Sequence, residues 1–220
     1  MCIRDSLKAK YNFTVSPEWL THIQLSSVRF SGGSASFVSP DGLVLTNHHV
    51  GSTAIQDLST KERDLMETGF YAKTKEEELK CPGLELRVLV EIEDVTSRVL
   101  EAEKPEMTSA EASEAREKII ASLEKECSEK TGLLCSVVNL YSGGMYHLYK
   151  YKVYTDIRLV FAVEYDTAFF GGDPDNFTYP RYDLDISLFR IYENDKPLNT
   201  PHFLKLSTKG LKEGELVFAS

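Results

Sequence analysis

The sequence lacks the long apolar runs and the basic character that mark membrane-spanning and nucleic-acid-binding proteins. None of its apolar runs approaches the ~20 residues of a transmembrane helix. Its 25 Lys and Arg are outnumbered by 34 Asp and Glu, which gives a net charge of −9. A phosphate backbone requires a basic surface. The composition therefore predicts neither membrane insertion nor nucleic-acid binding.

Cysteine is scarce, and the four Cys include no CxxC pair. A zinc site is therefore not predicted, and neither is any other metal or cofactor. Cys127 and Cys135 flank a predicted helix end, where a disulfide and two free buried thiols fit the spacing equally well. The first residues also lack the apolar segment and the cleavage site of a signal peptide, so none is predicted in this chain.

The recognisable pattern is mostly β-strand. Apolar runs flank Pro40-Asp41-Gly42, which predicts a β-hairpin ending at the paired histidines His48 and His49. Further strands are predicted in the second part of 15–33 and at 84–100, 135–144, 145–165, 185–194 and 214–220, and a long loop is predicted at 169–183. These segments indicate an antiparallel β-barrel or sandwich.

Two capping boxes predict helices inserted between the strands. Thr108 and Glu111 begin the clearest helix, and Gly132 can end it. Ser59 and Glu62 predict a second helix up to Gly69. A short amphipathic helix is also predicted before the first strand. The fold class is therefore mainly β with inserted helices.

The paired histidines are the strongest candidates for chemistry. Neighbours on an extended strand point to opposite faces, so His48 and His49 are not expected to share a metal ion. One histidine that faces a cleft can act as a general base if a carboxylate holds its other ring nitrogen. Asp185, at the head of an apolar strand, is the best carboxylate, and Asp183 is its rival.

No nucleophile stands out in the sequence. Neither a GxSxG elbow nor a GDSGG-like segment occurs. Ser142 is followed by two Gly, but a plain turn explains it better. The final segment, "KEGELVFAS", has the pattern of an interrupted strand, which predicts that the chain is a fragment of a longer protein.

Three ordered segments resemble bacterial serine dipeptidyl peptidases of the S46 type, the group of dipeptidyl peptidases 7 and 11. They are "GGSASFVSPDGLVLTNHHV", "YKYKVYTDIRLVFA" and "FFGGDPDNFTYPRYDLDISLFRIYENDKPL". The resemblance covers about Leu25 to Ser220. It implies a trypsin-like double β-barrel, of which residues 1–220 are the N-terminal part: the first barrel and the start of the second. The segment at about 107–131 would be a helical insertion, with the second barrel and the helical cap domain absent.

The resemblance also implies residue roles. His49 aligns with the general base of a Ser-His-Asp triad and Asp185 with its orienting carboxylate, whereas the serine would lie beyond Ser220. Asn176 and Phe177 align with the site that binds the substrate's N-terminal amine. The neighbouring acids Asp173 and Asp175 are better explained as turn residues.

The implied activity is release of dipeptides from the free N-termini of peptides, by a periplasmic or secreted enzyme that uses no cofactor. The chain alone is predicted to be inactive, and a homodimer of the full-length protein is compatible with the resemblance. Two alternatives remain open at this point: part of a trypsin-like endopeptidase, and a non-catalytic β-rich binding module.

Overall fold

A computed structural model describes residues 3–171, 178 and 180–218, and its regular structure consists of both strands and helices. Its strands are β1 Ser27–Phe30, β2 Gly33–Phe37, β3 Leu43–Thr46, β4 Phe70–Tyr71, β5 Leu79–Lys80, β6 Leu86–Asp94, β7 Leu134–Leu140, β8 Met145–Tyr154, β9 Asp156–Ala162, β10 Ser187–Glu193 and β11 Lys196–Pro197. Its α-helices are α1 Ile3–Tyr11, α2 Pro17–Ser26, α3 His48–Asp57, α4 Leu65–Thr68, α5 Thr96–Leu100, α6 Ser109–Thr131 and α7 Tyr165–Ala168. The predicted class, mainly antiparallel β with helices, is confirmed.

The chain divides into two compact units, which are described separately. Unit 1 comprises Met1–Leu86 and Tyr154–Ser220, and unit 2 comprises Arg87–Val153. Unit 2 is thus inserted in sequence between the two halves of unit 1. None of the helices in the described parts of the chain is both long and apolar enough to cross a bilayer.

An antiparallel sheet forms the centre of unit 1. Its strands lie in the order β4-β9-β10-β3-β2-β1, with β5 added to β9 and β11 to β10. The predicted hairpin is confirmed, since Phe37 of β2 pairs with Val44 of β3. Alternate residues of the strands face the core, which includes the buried side chains Val28, Phe30, Phe37, Val44, Ile157, Leu159, Phe189 and Ile191.

A network of charged groups is buried beside this core. The Arg190 guanidinium donates to Glu78 over 2.9 Å, and the Tyr192 hydroxyl donates to the other Glu78 oxygen over 2.8 Å. Arg190 also pairs with Asp41 over 2.8 Å. Burial, together with the hydrogen bond to Glu78, raises the pKa of Tyr192 to about 12. Only 2% of the Glu78 side chain is exposed, so each of its oxygens depends on these partners.

Unit 2 combines the long helix α6 with strands in the order β6-β8-β7. The predicted capping box is present, because Thr108 and Glu111 each bond the other's backbone N–H. Gly132 ends the helix with φ of 70°, the left-handed conformation that suits glycine. Cys127 and Cys135 form a disulfide with Cα atoms 6.0 Å apart, which resolves the two alternatives left open by the sequence.

Three predicted elements were wrong. The helix expected from Ser59 reduces to the single turn of α4, because Asp64 caps it and the Ser59 hydroxyl bonds the carbonyl of Ile55 instead. The strand expected at 84–100 ends at Asp94 and continues as α5. The segment 214–218 has no strand within its described residues. At the first of these places, hydrogen bonds to nearby residues compete with the predicted cap of Ser59.

Candidate active site

The paired histidines begin a helix, and the prediction that they end a strand was wrong. They are the first two residues of α3, directly after β3. Successive helical residues point about 100° apart, so the two rings still separate. His48 is buried with 2% exposure, whereas 47% of the His49 side chain is exposed. The two rings therefore point in different directions, as predicted, but the cause is the geometry of a helix and not that of a strand.

His48 belongs to the core of unit 1. Burial lowers the pKa of His48, although the charge of Asp185 and a hydrogen bond to the backbone of Val163 oppose this shift. Its Nε2 has no hydrogen-bond partner within the described residues. A neutral buried imidazole of this kind fits a structural role and not a catalytic one.

His49 and Asp185 meet although 136 residues separate them in sequence. The His49 Nδ1 lies 2.6 Å from Asp185 Oδ2, and the His49 backbone N–H donates to Asp185 Oδ1 over 3.0 Å. Burial raises the pKa of Asp185, but these hydrogen bonds and the charges of His49 and Arg181 outweigh it, so the net shift lowers the pKa. An ionised carboxylate can only accept, so Nδ1 carries a proton, and in the neutral imidazole Nε2 then carries the lone pair.

Strand pairing brings the two segments together. Thr46 of β3 pairs with Ser187 of β10, so the residues just beyond each strand end are adjacent. The Ser187 hydroxyl then donates to the carbonyl of Asn47 over 3.0 Å. The pairing of β3 with β10 therefore brings the imidazole and the carboxylate side by side.

Gly51 allows α3 to lie against β10. A Cβ at this position would lie 2.8 Å from the Ser187 hydroxyl and 2.9 Å from the ring of Phe189. The Phe189 ring is fully buried and cannot move aside. Because Gly51 has no side chain, α3 can approach β10 closely. This close approach brings His49 near Asp185, which lies just before β10.

Gly51→Ala is expected to lower the free energy of unfolding of unit 1 by about 1–3 kcal/mol, because overpacking forces the helix off the strand. Fluorescence of Trp19, the only tryptophan, measures the unfolding of unit 1 in urea. Thr53→Ala, on the exposed side of the same helix, is the matched control and should leave the midpoint nearly unchanged. Equal stability of the two variants would contradict the close contact.

Two polar residues of the site were not predicted from the sequence. The Asn47 side-chain amide donates to the Asp185 carbonyl over 3.1 Å and to Asp185 Oδ2 over 3.2 Å. Arg181 reaches Asp185 Oδ2 over 3.4 Å. In the sequence, only their positions near the predicted pair could have indicated them: Asn47 lies two residues before His49, and Arg181 lies four residues before Asp185.

The other candidates lie apart from this pair or outside the described residues. Asp183, the rival carboxylate, has a fully buried side chain whose Oδ1 receives Arg181 Nε over 3.4 Å. Ser142 lies in a turn of unit 2 with φ of 54°, as the turn interpretation predicts. Asn176, Phe177, Asp173 and Asp175 all lie outside the described residues. Across residues 3–171 and 180–218, no three acidic, His or Cys side chains cluster to hold a metal ion.

Comparison with known proteins matches the family model for peptidase S46 over residues 2–220. The dipeptidyl-peptidase 7 of Capnocytophaga gingivalis is 34% identical over 86% of this chain and 28% of its own length. An Asp/Glu-specific dipeptidyl-peptidase from the same organism is 38% identical over the same shares. The crystal structure of Porphyromonas endodontalis DPP11 in complex with the dipeptide Arg-Glu matches with a TM-score of 0.73 and 32% identity, over 87% of this chain and 30% of that one. The chain therefore spans less than a third of the length of these relatives.

Proposed function

Since this chain belongs to the peptidase S46 family, we propose that it supplies the general base and its carboxylate to a serine exopeptidase that releases dipeptides from peptide N-termini. His49 would take the proton of the attacking serine, and Asp185 would hold its ring and stabilise the imidazolium. The observation that carries the proposal is the 2.6 Å contact between His49 Nδ1 and the buried Asp185 carboxylate.

The half-exposed position of His49 suits this role. Its Nδ1 is held by a carboxylate of which only 3% is exposed, while 47% of the imidazole side chain is accessible. A general base needs one ring nitrogen fixed and the other reachable by substrate and nucleophile. The serine would come from residues outside these 220, because the sequence offers no nucleophile motif and spans 28% of the relative from Capnocytophaga gingivalis.

The proposal extends to substrate binding through Asn176 and Phe177, which lie outside the described residues. An exopeptidase that binds the free amine of its substrate thereby determines which peptide bond is cleaved. An amide oxygen can accept hydrogen bonds from an ammonium group, and an aromatic face attracts a cation. Peptides with a free N-terminus are therefore the proposed substrates.

A periplasmic or secreted location is also proposed. The disulfide between Cys127 and Cys135 supports it, because such bonds persist in oxidising compartments. Cys81, by contrast, is buried as a free thiol, and burial raises the pKa of Cys81 to about 12, which keeps it protonated and unreactive.

The test uses a protein of the relatives' length that carries these residues. We expect it to release dipeptides from peptides with a free N-terminus and to leave N-acetylated peptides intact, as measured by mass spectrometry of the products. The 220-residue chain alone is the control and should release none. Equal cleavage of acetylated and free peptides would favour an endopeptidase, and no cleavage of either would contradict the proposal.

A further inference from the structure

Asn47 occupies the N-cap position of α3, yet its side chain does not cap the helix. Asn is among the best N-cap residues, because its side-chain oxygen can accept from the second or third backbone N–H of the helix. Here the Asn47 side chain makes no such bond. Its amide instead bonds both the carbonyl and the carboxylate of Asp185.

The vacant capping role is taken by Asp185. Its Oδ1 accepts the backbone N–H of His49, the second residue of α3, over 3.0 Å. The positive end of the helix also favours an anion at this point. Asp185 therefore caps α3, whereas Asn47, which lies at the N-cap position, bonds Asp185.

The hydrogen-bond partners of the Asn47 amide determine that its nitrogen, and not its oxygen, faces Asp185. Its nitrogen faces two acceptors, the carbonyl oxygen and Oδ2 of Asp185. The flipped amide would place its oxygen against both and lose two hydrogen bonds. The backbone of Asn47 is also held, because its carbonyl accepts from the Ser187 hydroxyl over 3.0 Å and from Gly51 N–H over 3.1 Å.

From these contacts we infer that Asn47 is a positioning residue of the site, which acts through Asp185 to keep Oδ2 aligned with His49 Nδ1. This inference rests on the proposed function for its meaning in catalysis, but the alignment itself is a property of the 220-residue chain. Oδ2 receives His49 Nδ1, Asn47 Nδ2 and Arg181 Nη2, at 2.6, 3.2 and 3.4 Å. Of the two supporting donors, Asn47 is the closer, and it also bonds the Asp185 backbone.

Two substitutions separate positioning from helix capping. Asn47→Ala removes the amide that bonds Asp185 and leaves a poor N-cap residue. Asn47→Ser keeps a good N-cap residue, but its hydroxyl is one bond shorter than the amide and does not reach Asp185. A purely structural Asn47 would therefore be rescued by serine, whereas a positioning Asn47 would not.

The spectroscopic test is proton NMR of the 220-residue chain. A His49 Nδ1–H bonded to a carboxylate gives a resonance far downfield of the amides, assigned by its loss in His49→Ala. We expect this resonance in the parent chain and its loss or broadening in both Asn47 variants, with Asn47→Ser the more stable of the two variants in thermal unfolding. A sharp, unshifted resonance in Asn47→Ser would overturn the inference, and so would the absence of the resonance from the parent chain.

The kinetic test uses the protein of the relatives' length. Both variants should lower kcat by about 10- to 100-fold, since small misplacements of a catalytic group cost this much. KM should change by less than about twofold, because Asn47 would touch no substrate. An unchanged kcat in Asn47→Ser would overturn the inference. If the parent protein released no dipeptide while the resonance still depended on Asn47, the proposed function would fail and the positioning role would stand.

Discussion

Asp185→Asn is expected to lower kcat/KM of a protein of the relatives' length by about 10⁴-fold, which is the size of effect that loss of the orienting carboxylate has in serine proteases. Three donors converge on Asp185 Oδ2, and the His49 backbone N–H points at Oδ1. An amide offers only one acceptor oxygen. Its NH₂ group must therefore face a donor at one of the two positions.

The tautomer of His49 explains the size of the effect. If the new NH₂ faces Nδ1, that nitrogen must carry the lone pair, and Nε2 carries the proton and cannot act as a base. Initial rates on peptides with a free N-terminus measure the change. Asp183→Asn is the matched control, because it alters a buried carboxylate two residues away and should cost less than about tenfold. The reverse order of the two variants would assign the role to Asp183.

Glu78→Ala is expected to lower the free energy of unfolding of unit 1 by about 3–5 kcal/mol, the usual cost of removing one partner of a buried ion pair. The substitution leaves the Arg190 Nε and the Tyr192 hydroxyl without their acceptors. Only 10% of the Arg190 side chain is exposed, so water cannot replace the lost carboxylate. Urea unfolding followed by Trp19 fluorescence measures the loss.

An exposed ion pair of the same network provides the control for Glu78. Lys75 pairs with Asp41 over 3.1 Å, but their side chains are 49% and 42% exposed. Lys75→Ala should therefore cost no more than about 1 kcal/mol. The double variant Glu78→Leu with Arg190→Met should be more stable than Glu78→Ala, since it removes both buried charges. A Glu78→Ala chain no less stable than Lys75→Ala would contradict the importance of burial.

Much of the fold could be predicted because its signals are local. The hairpin around Pro40-Asp41-Gly42 follows from turn chemistry, and the helix from Thr108 to Gly132 follows from its caps. The helix predicted from Ser59 failed, because other nearby groups compete for its hydroxyl. Ser59 resembles an N-cap residue, but its hydroxyl bonds the Ile55 carbonyl and the Leu65 N–H.

The candidate site depends on long-range contacts as well as on local signals. The sequence indicated His49 and Asp185 as a pair, and the structure brings them together. It did not indicate that β3 stops at Thr46, so that both histidines enter a helix. Nor did it indicate the role of Asn47, because the partner of its amide lies 138 residues further along the chain. A contact of that range leaves no periodicity in sequence.

Asp185 both caps α3 and holds the His49 ring, so the site cannot form during synthesis until Asp185 has been made. His49 leaves the ribosome 136 residues before Asp185, an interval of roughly 7–27 s at ordinary rates of translation. Throughout that interval the nascent chain has an imidazole with neither its carboxylate nor the helix cap that the carboxylate provides. The His49 ring is therefore not oriented in the incomplete chain, and its orientation waits until β10 has been made and paired with β3.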